Sequence, residues 1–255
     1  MSIQTKAQTF RNLHVPNDPI ILYNIWDAGS AAAVARAGAK AIATGSWSVA
    51  AAQGYADGEK MPLEDALAVV ARIAQSVDLP VTVDFEGGYA ADPAAVGENV
   101  RRLLKLGVVG LNFEDRVVDG PGLYGIEDQV RRLRAVRRAA DDLGVPAFIN
   151  ARTDVFLKAA PNADHAGLVE EALARAAAYA GAGADGFFVP GLRDKALIRR
   201  IGERATLPIN VMMKGTLEEV REVAKLGVAR ISFGPAPYIG LTAVLEREAG
   251  IFALG

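Results

Sequence analysis

Eight times along this chain a short run of β-branched and aromatic residues gives way to a longer segment with helical spacing. The runs span 20–26, 41–47, 80–86, 110–115, 147–153, 186–190, 208–213 and 230–234. The helical segments span 28–37, 62–76, 93–106, 126–143, 164–182, 195–205 and 217–226, with a shorter last one over 236–249. Pro62 and Pro93 suit first helical turns, where a missing N–H removes no bond. Gly38, Gly107, Gly144, Gly183 and Gly227 fall where helix should turn into strand. The runs are apolar almost throughout rather than alternating, as strands covered on both faces require. Eight strand–helix units in 255 residues predict an α/β fold, a (β/α)8 TIM barrel formed as a single domain over 1–255. An open doubly wound sheet is the alternative, but no glycine-rich dinucleotide fingerprint follows the first run.

Composition narrows the partners. The chain has no cysteine, which removes disulfides, thiolate metal sites and cysteine nucleophiles together. A formal net charge of -2, without blocks of like charge, gives no reason to expect nucleic acid or an anionic membrane surface. Residues 1–14 lack the apolar core of a signal segment, and no stretch of about 18 apolar residues occurs. The expectation is a soluble, cytoplasmic protein.

In such barrels the chemistry sits at the C-terminal ends of the strands. The third run closes on Val83-Asp84-Phe85-Glu86, the fourth on Asn112-Phe113-Glu114-Asp115, and the fifth on Asn150-Ala151-Arg152-Thr153-Asp154. Alternation along a strand places Asp84 with Glu86, Asn112 with Glu114, and Asn150 with Arg152 and Asp154. Three neighbouring strands therefore aim Asp84, Glu86 and Glu114 into one space. Three close carboxylates in a partly desolvated site raise one another's pKa unless a cation balances them. An all-oxygen set suits a hard ion, Mg2+ first and Mn2+ second. Arg152 beside it offers a fork matched to a carboxylate or a developing oxyanion. Such a pair of cations is what a chelating 2-oxo acid needs as its enolate forms. His14 and His165 lie away from the strand ends and read as surface or helix-contact residues. The arginines between Arg131 and Arg138 read as a solvated helix face. Trp47, Phe113, Phe156 and Met212 read as candidate pocket walls; Trp26, Trp47 and Phe113 stay open between wall and core. Phe156 and Trp47 would leave little room for a second bulky charged arm.

At VDFEGGY, NFEDR and NARTDVF the chain resembles the isocitrate lyase/phosphoenolpyruvate mutase superfamily. YNIWDAGSA and ATGSWSVAAAQGYADGE resemble the opening of those enzymes, so the likeness runs from about Tyr23 to Pro235. It implies that Asp84, Glu86 and Glu114 act on Mg2+ directly or through water, and that Asp57 holds a metal-bound water. It implies that the turn Gly45-Ser46-Trp47 binds the substrate carboxylate and that Arg152 is the strand-five arginine. Catalysis would then rest on Arg152, Glu114 and Asp57. It also implies a homo-oligomer, a dimer or tetramer, often with the last helix exchanged between subunits.

Two departures matter. The isocitrate and methylisocitrate lyases carry a cysteine-containing loop after strand four, where this chain reads Arg116-Val-Val-Asp-Gly-Pro-Gly-Leu-Tyr124. Phosphonopyruvate-handling members carry a lysine after the Glu-Asp pair and an asparagine or threonine in the loop; here Arg116 follows, and 117–123 contains neither. The residues thus favour a Mg2+-dependent carbon–carbon lyase, decarboxylating oxaloacetate or a related 2-oxo diacid, with Tyr124 or Asp119 as proton source. The alternative is a phosphonopyruvate or carboxyphosphonoenolpyruvate mutase or hydrolase. From another class, a non-catalytic 2-oxo acid and Mg2+ binding protein would look the same.

Overall fold

The computed structural model describes residues 1–117, 120–160 and 162–253. The chain opens with α1 (Ile3–Asn12), β1 (His14–Val15), β2 (Asp18–Leu22), α2 (Ala28–Arg36), β3 (Ile42–Ala43) and α3 (Ser46–Ala52). Next come α4 (Leu63–Ser76), β4 (Val81–Asp84), α5 (Pro93–Leu104), β5 (Gly110–Glu114), α6 (Ile126–Asp142) and β6 (Phe148–Arg152). It finishes with α7 (His165–Gly181), β7 (Gly186–Phe188), α8 (Lys195–Arg204), β8 (Ile209–Met212), α9 (Leu217–Ala224), β9 (Val228–Ser232) and α10 (Ala236–Ala253).

Helix starts follow from the sequence. Asp27 caps α2 in a capping box with Ser30, Asp92 caps α5 just before Pro93, and Thr216 caps α9 with Glu219 returning the bond. Gly107 and Gly227 take φ of 89° and 82°, the left-handed form that ends α5 and α9 at little steric cost.

All eight predicted strands form, and they pair in parallel in the order β2-β9-β8-β7-β6-β5-β4-β3. The closed (β/α)8 barrel does not. Among the described residues the sheet has nine strands, is curled and open, and carries the unforeseen β1 antiparallel on β2. Between β2 and β3 no ladder runs. One isolated bridge, Ile25 to Thr44, joins the two ends, with Ile25 N–H donating to Ala43 O at 2.9 Å. β3 has only two ladder residues, both paired to β4, and the chain leaves strand geometry after Leu22. Asn24 fills part of the gap. Its amide donates to Thr44 O at 2.8 Å, and its carbonyl accepts from Phe233 and Gly234 N–H at 2.8 and 2.9 Å.

The main core lies between the strands' outer faces and the helices, with Ile73, Val100, Leu133, Val136 and Ile201 all sealed from solvent. A second cluster fills the N-terminal end of the curled sheet, where Phe10 of α1 meets Leu22, Val109 and Phe148. His14 belongs to this plug. It is buried, stacked on Phe148 at 3.9 Å and hydrogen-bonded through Nδ1 to Phe10 O at 2.8 Å. Of the two roles read for it, helix contact holds and surface does not: a neutral ring with one satisfied nitrogen packs as an apolar residue against α1. His165 does sit on a helix start, against Phe156.

The arginine-rich face of α6 is corrected too. Arg131, Arg134 and Arg138 are exposed, but Arg132 is 1% exposed and Arg137 is half-buried on Asp185. α10 leaves Ile239, Leu241, Leu245 and Phe252 exposed. Among the described residues no helix is long and apolar enough to cross a membrane.

Candidate active site

The C-terminal ends of β4, β5 and β6 stand side by side, with Asp84 opposite Asn112 and Glu114 opposite Arg152 in register. Alternation then brings Asp84, Glu114 and Arg152 to one face, as expected. Arg152 is the hub. Its Nη1 lies 2.9 Å from Glu114 and 3.7 Å from Asp84, while Nε and Nη2 bind Asp154 at 2.6 and 3.0 Å. The ring of Phe188 lies 5.9 Å from the guanidinium carbon.

Asp84 is held by several donors. Ser46, the first residue of α3, donates its hydroxyl to Oδ2 at 2.8 Å and its N–H at 3.3 Å; Asn112 donates to Oδ1 at 3.2 Å. The Ser46 donors, expected to receive a substrate carboxylate, are both turned to Asp84. Gly45 caps α3 and gives its N–H to Ile25 O. Trp47 is exposed and turns its ring to Tyr238 of α10. Trp26 also meets Tyr238, and Phe113 is core.

Glu86 reaches the site by another route. β4 ends at Asp84, and Glu86 takes φ of 48° in a tight turn. That conformation is uncommon for a residue with a side chain, and such residues gather at functional sites. Its Oε2 accepts from Glu59 N–H at 2.8 Å, and the Glu59 carboxylate in turn accepts from Tyr89 N–H at 2.9 Å. Asp57 lies at the exposed rim of the same loop.

The acids strain against one another. Burial pushes the Glu86 carboxyl up to about 8, and the charges of Asp57 and Asp84 add to the effect. Glu114 is raised well above the carboxylate range, by burial first and then by Asp154, Asp84 and Glu86, against the pull of Arg152. Asp57 is raised by partial desolvation and by Asp84, with Arg152 and Arg116 opposing. Although burial disfavours its charge, Glu114, Asp154 and Asp84 keep Arg152 firmly protonated.

Among the described residues no three Asp, Glu or His side chains are grouped to hold an ion by themselves. An all-protein cage is therefore not what this site offers. The donor set still fits Mg2+, which prefers oxygen, keeps several waters and is held by one or two carboxylates plus substrate. Crowded carboxyls that raise each other's pKa are the chemistry a divalent ion relieves.

A cleft of about 340 Å³ opens beside Glu86 and Glu114, with Glu59, Lys60 and Arg116 also on its wall. The Arg116 guanidinium packs on the backbone of Gly58, 3.2 Å from where a Cβ would stand. Phe156 is buried and Trp47 faces away, so neither narrows this cleft; Met212 lines a separate apolar cleft with Leu157 and Phe233. The restriction on a second charged arm falls with them. Tyr124 stacks on Arg132, with the ring centroid 4.0 Å away. Asp119, offered with it as a proton source, lies outside the described residues.

Sequence reasoning missed the supports. Asp115 is fully buried, accepting from Arg175 at 3.0 Å, Tyr179 at 2.8 Å and Asp154 N–H at 3.0 Å, which fixes the residue that grips Arg152. Arg230 is buried beneath the acids and donates to Asn112 at 3.2 Å, and burial draws it down to about 9. Alternation along β9 was the signal available for Arg230; Arg175, on a helix, offered none.

Comparison with known proteins agrees with this geometry. The family profile described as phosphoenolpyruvate phosphomutase matches residues 10–252. A crystal structure from Burkholderia cenocepacia J2315, provisionally assigned as a phosphonomutase, superimposes with a TM-score of 0.93 at 47% identity, covering 100% of both chains. The 2-methylisocitrate lyase of Salmonella typhimurium is 31% identical over 218 residues, 82% of this chain and 70% of that one. An oxaloacetate decarboxylase of Pseudomonas savastanoi pv. phaseolicola is 28% identical over 243 residues, 93% of this chain and 81% of that one. With the profile spanning nearly its whole length and the acids and arginine standing at the strand ends, this chain belongs to the isocitrate lyase/phosphoenolpyruvate mutase superfamily.

Proposed function

We propose that this protein is a Mg2+-dependent enzyme that acts on a small 2-oxo acid with an anionic group on C3, through an enolate. The observation that carries the reading is Arg152 gripped by Glu114, Asp154 and Asp84 beside an acid-lined cleft. The first substrate class is phosphonopyruvate or its phosphoenolpyruvate isomer, rearranged or hydrolysed. The phosphomutase profile and the 47% identical relative support that choice over carbon–carbon cleavage.

Asp84, Glu86 and Glu114 would hold the ion, directly or through water, and Asp57 faces them from the rim. When bound, Mg2+ supplies Lewis-acid stabilisation of the enolate oxygen. Arg152 is fixed by Asp154, so its remaining N–H groups need no reorganisation as negative charge grows beside them. The Ser46 hydroxyl and N–H, which hold Asp84, would serve a substrate carboxylate as neutral donors once Asp84 turns to the ion. Arg116, on the cleft wall, is the cation suited to the phosphonate or second carboxylate.

Decarboxylation of oxaloacetate is the second reading, favoured by Arg116 standing where phosphonate-handling members have lysine and by the decarboxylase relatives. Phosphorus NMR on phosphonopyruvate, alongside pyruvate release from oxaloacetate, each with and without Mg2+, separates the two. Tight oxalate binding with neither reaction would mark a binding protein and overturn both. The exposed apolar row of α10 supports a homo-oligomer.

A further inference from the structure

The turn that carries Glu86 is held by residues outside itself. Glu86, Gly88 and Tyr89 all take positive φ, at 48°, 82° and 58°. Within the turn the backbone contributes Gly88 N–H to Phe85 O at 2.9 Å. The remaining support arrives from neighbours: Glu114 N–H binds Glu86 O at 2.8 Å, and Asn99 donates to Gly88 O at 2.9 Å.

Arg132 completes this frame. It projects inward from α6 and donates from Nη2 to Gly87 O and, at 3.0 Å, to Ala90 O, the residues just past Glu86. Its guanidinium lies against the rings of Tyr124 and Phe113, 4.0 and 5.1 Å from their centroids. Its Nη1 donates to Gln129 Oε1 at 3.2 Å, and Gln129 Nε2 donates to Glu114 O at 3.0 Å. Two adjacent side chains of one helix therefore grip the backbone behind both carboxylates. A guanidinium taken out of water to bind carbonyls is costly, and a leucine or methionine would pack there with less penalty. Arginine does what they cannot: Nη2 gives N–H groups at fixed angles to two carbonyls while Nη1 binds Gln129.

We propose that Arg132, acting with Gln129, is a positioning residue that sets the separation and aim of Glu86 and Glu114. The inference rests on the proposed metal role of those two acids. It extends that role to residues that touch neither ion nor substrate.

The test is Mg2+ binding to the full-length, metal-stripped protein by calorimetry, with hydrogen exchange at the Tyr89 amide as a local readout. Arg132→Gln, Arg132→Lys and Gln129→Met are compared with Ile201→Ala, a buried change on α8 that controls for lost stability alone. Arg132→Gln is expected to weaken Mg2+ about 10- to 100-fold, the range for lost supports of metal ligands. Exchange at Tyr89 should quicken, Lys should recover part of the affinity, and Ile201→Ala should leave both unchanged. If Arg132→Gln fails to fold, Gln129→Met keeps the Arg132 bonds to the turn and should still cost several-fold. Wild-type affinity in the Arg132 and Gln129 variants, or an equal loss in Ile201→Ala, overturns the inference alone. Absence of Mg2+ binding by the wild type overturns it together with the metal reading.

Discussion

His14 offers a test of the buried plug with a magnitude that can be worked out. Burial comes first among the causes that depress its pKa, followed by the charge of Arg230, and together they carry it from 6.5 down to about 3 despite the Phe10 carbonyl. In the unfolded chain the ring protonates near 6.5; in the folded protein it stays neutral. A group depressed in this way adds stability above its unfolded pKa and loses it as pH falls towards the folded value. Between about pH 7.5 and pH 5 the unfolded state takes up a proton that the native state refuses, a loss of about 2 kcal/mol. Urea unfolding of wild type and His14→Asn at both pH values isolates the effect. The other titrating groups, raised carboxyls included, are common to both proteins and cancel in the difference. Asn can donate to the Phe10 carbonyl but cannot titrate, so the wild type should lose about 2 kcal/mol more than the variant on acidification. Equal pH slopes would refute the argument and place a proton or water access route at the sealed end.

Other outcomes concern the site. Arg152→Ala and Glu114→Gln should each lower turnover at least about 100-fold on whichever substrate is found, with circular dichroism unchanged. Mg2+ at about 100 times its Kd should stabilise the stripped protein by about 2.7 kcal/mol, read as a rise in Tm that EDTA reverses. Arg116→Ala should raise KM for phosphonopyruvate or oxaloacetate while leaving binding of oxalate, which has no C3 arm, within about twofold.

The strands were legible because sheets covered on both faces write continuous apolar runs, and Asp84, Glu114 and Arg152 were legible because alternation has a fixed period. Glu86 is a different case. It was grouped with Asp84 by alternation, yet it arrives through a left-handed turn, so the expected neighbourhood came out right for a geometric reason the sequence does not display. Arg132 was hidden because charge alone does not reveal which face of an arginine-rich helix turns inward. The open edge was hidden because closure depends on strand length at one place, and the seven-residue run over 41–47 does not say that only two of its residues will join a ladder. His14 stayed open between surface and helix contact because a helix that stoppers the sheet's end leaves no periodic trace in the residues it covers.

Asn24 has a reach beyond its size. Elsewhere around the wall, peptide groups repeat their links from strand to strand; here two backbone bonds at Ile25 are supplemented by one carboxamide, which ties the segment after β2 to Thr44 on one side and to Phe233 and Gly234 on the other. Ser46, which grips Asp84, lies two residues beyond Thr44, so the mouth of the candidate site hangs from the thinnest stitch in the curled sheet. Heat or denaturant should unzip the molecule there first, and exchanging that one amide for an isosteric acid or aliphatic group would slacken the mouth while the distant staves stay taut.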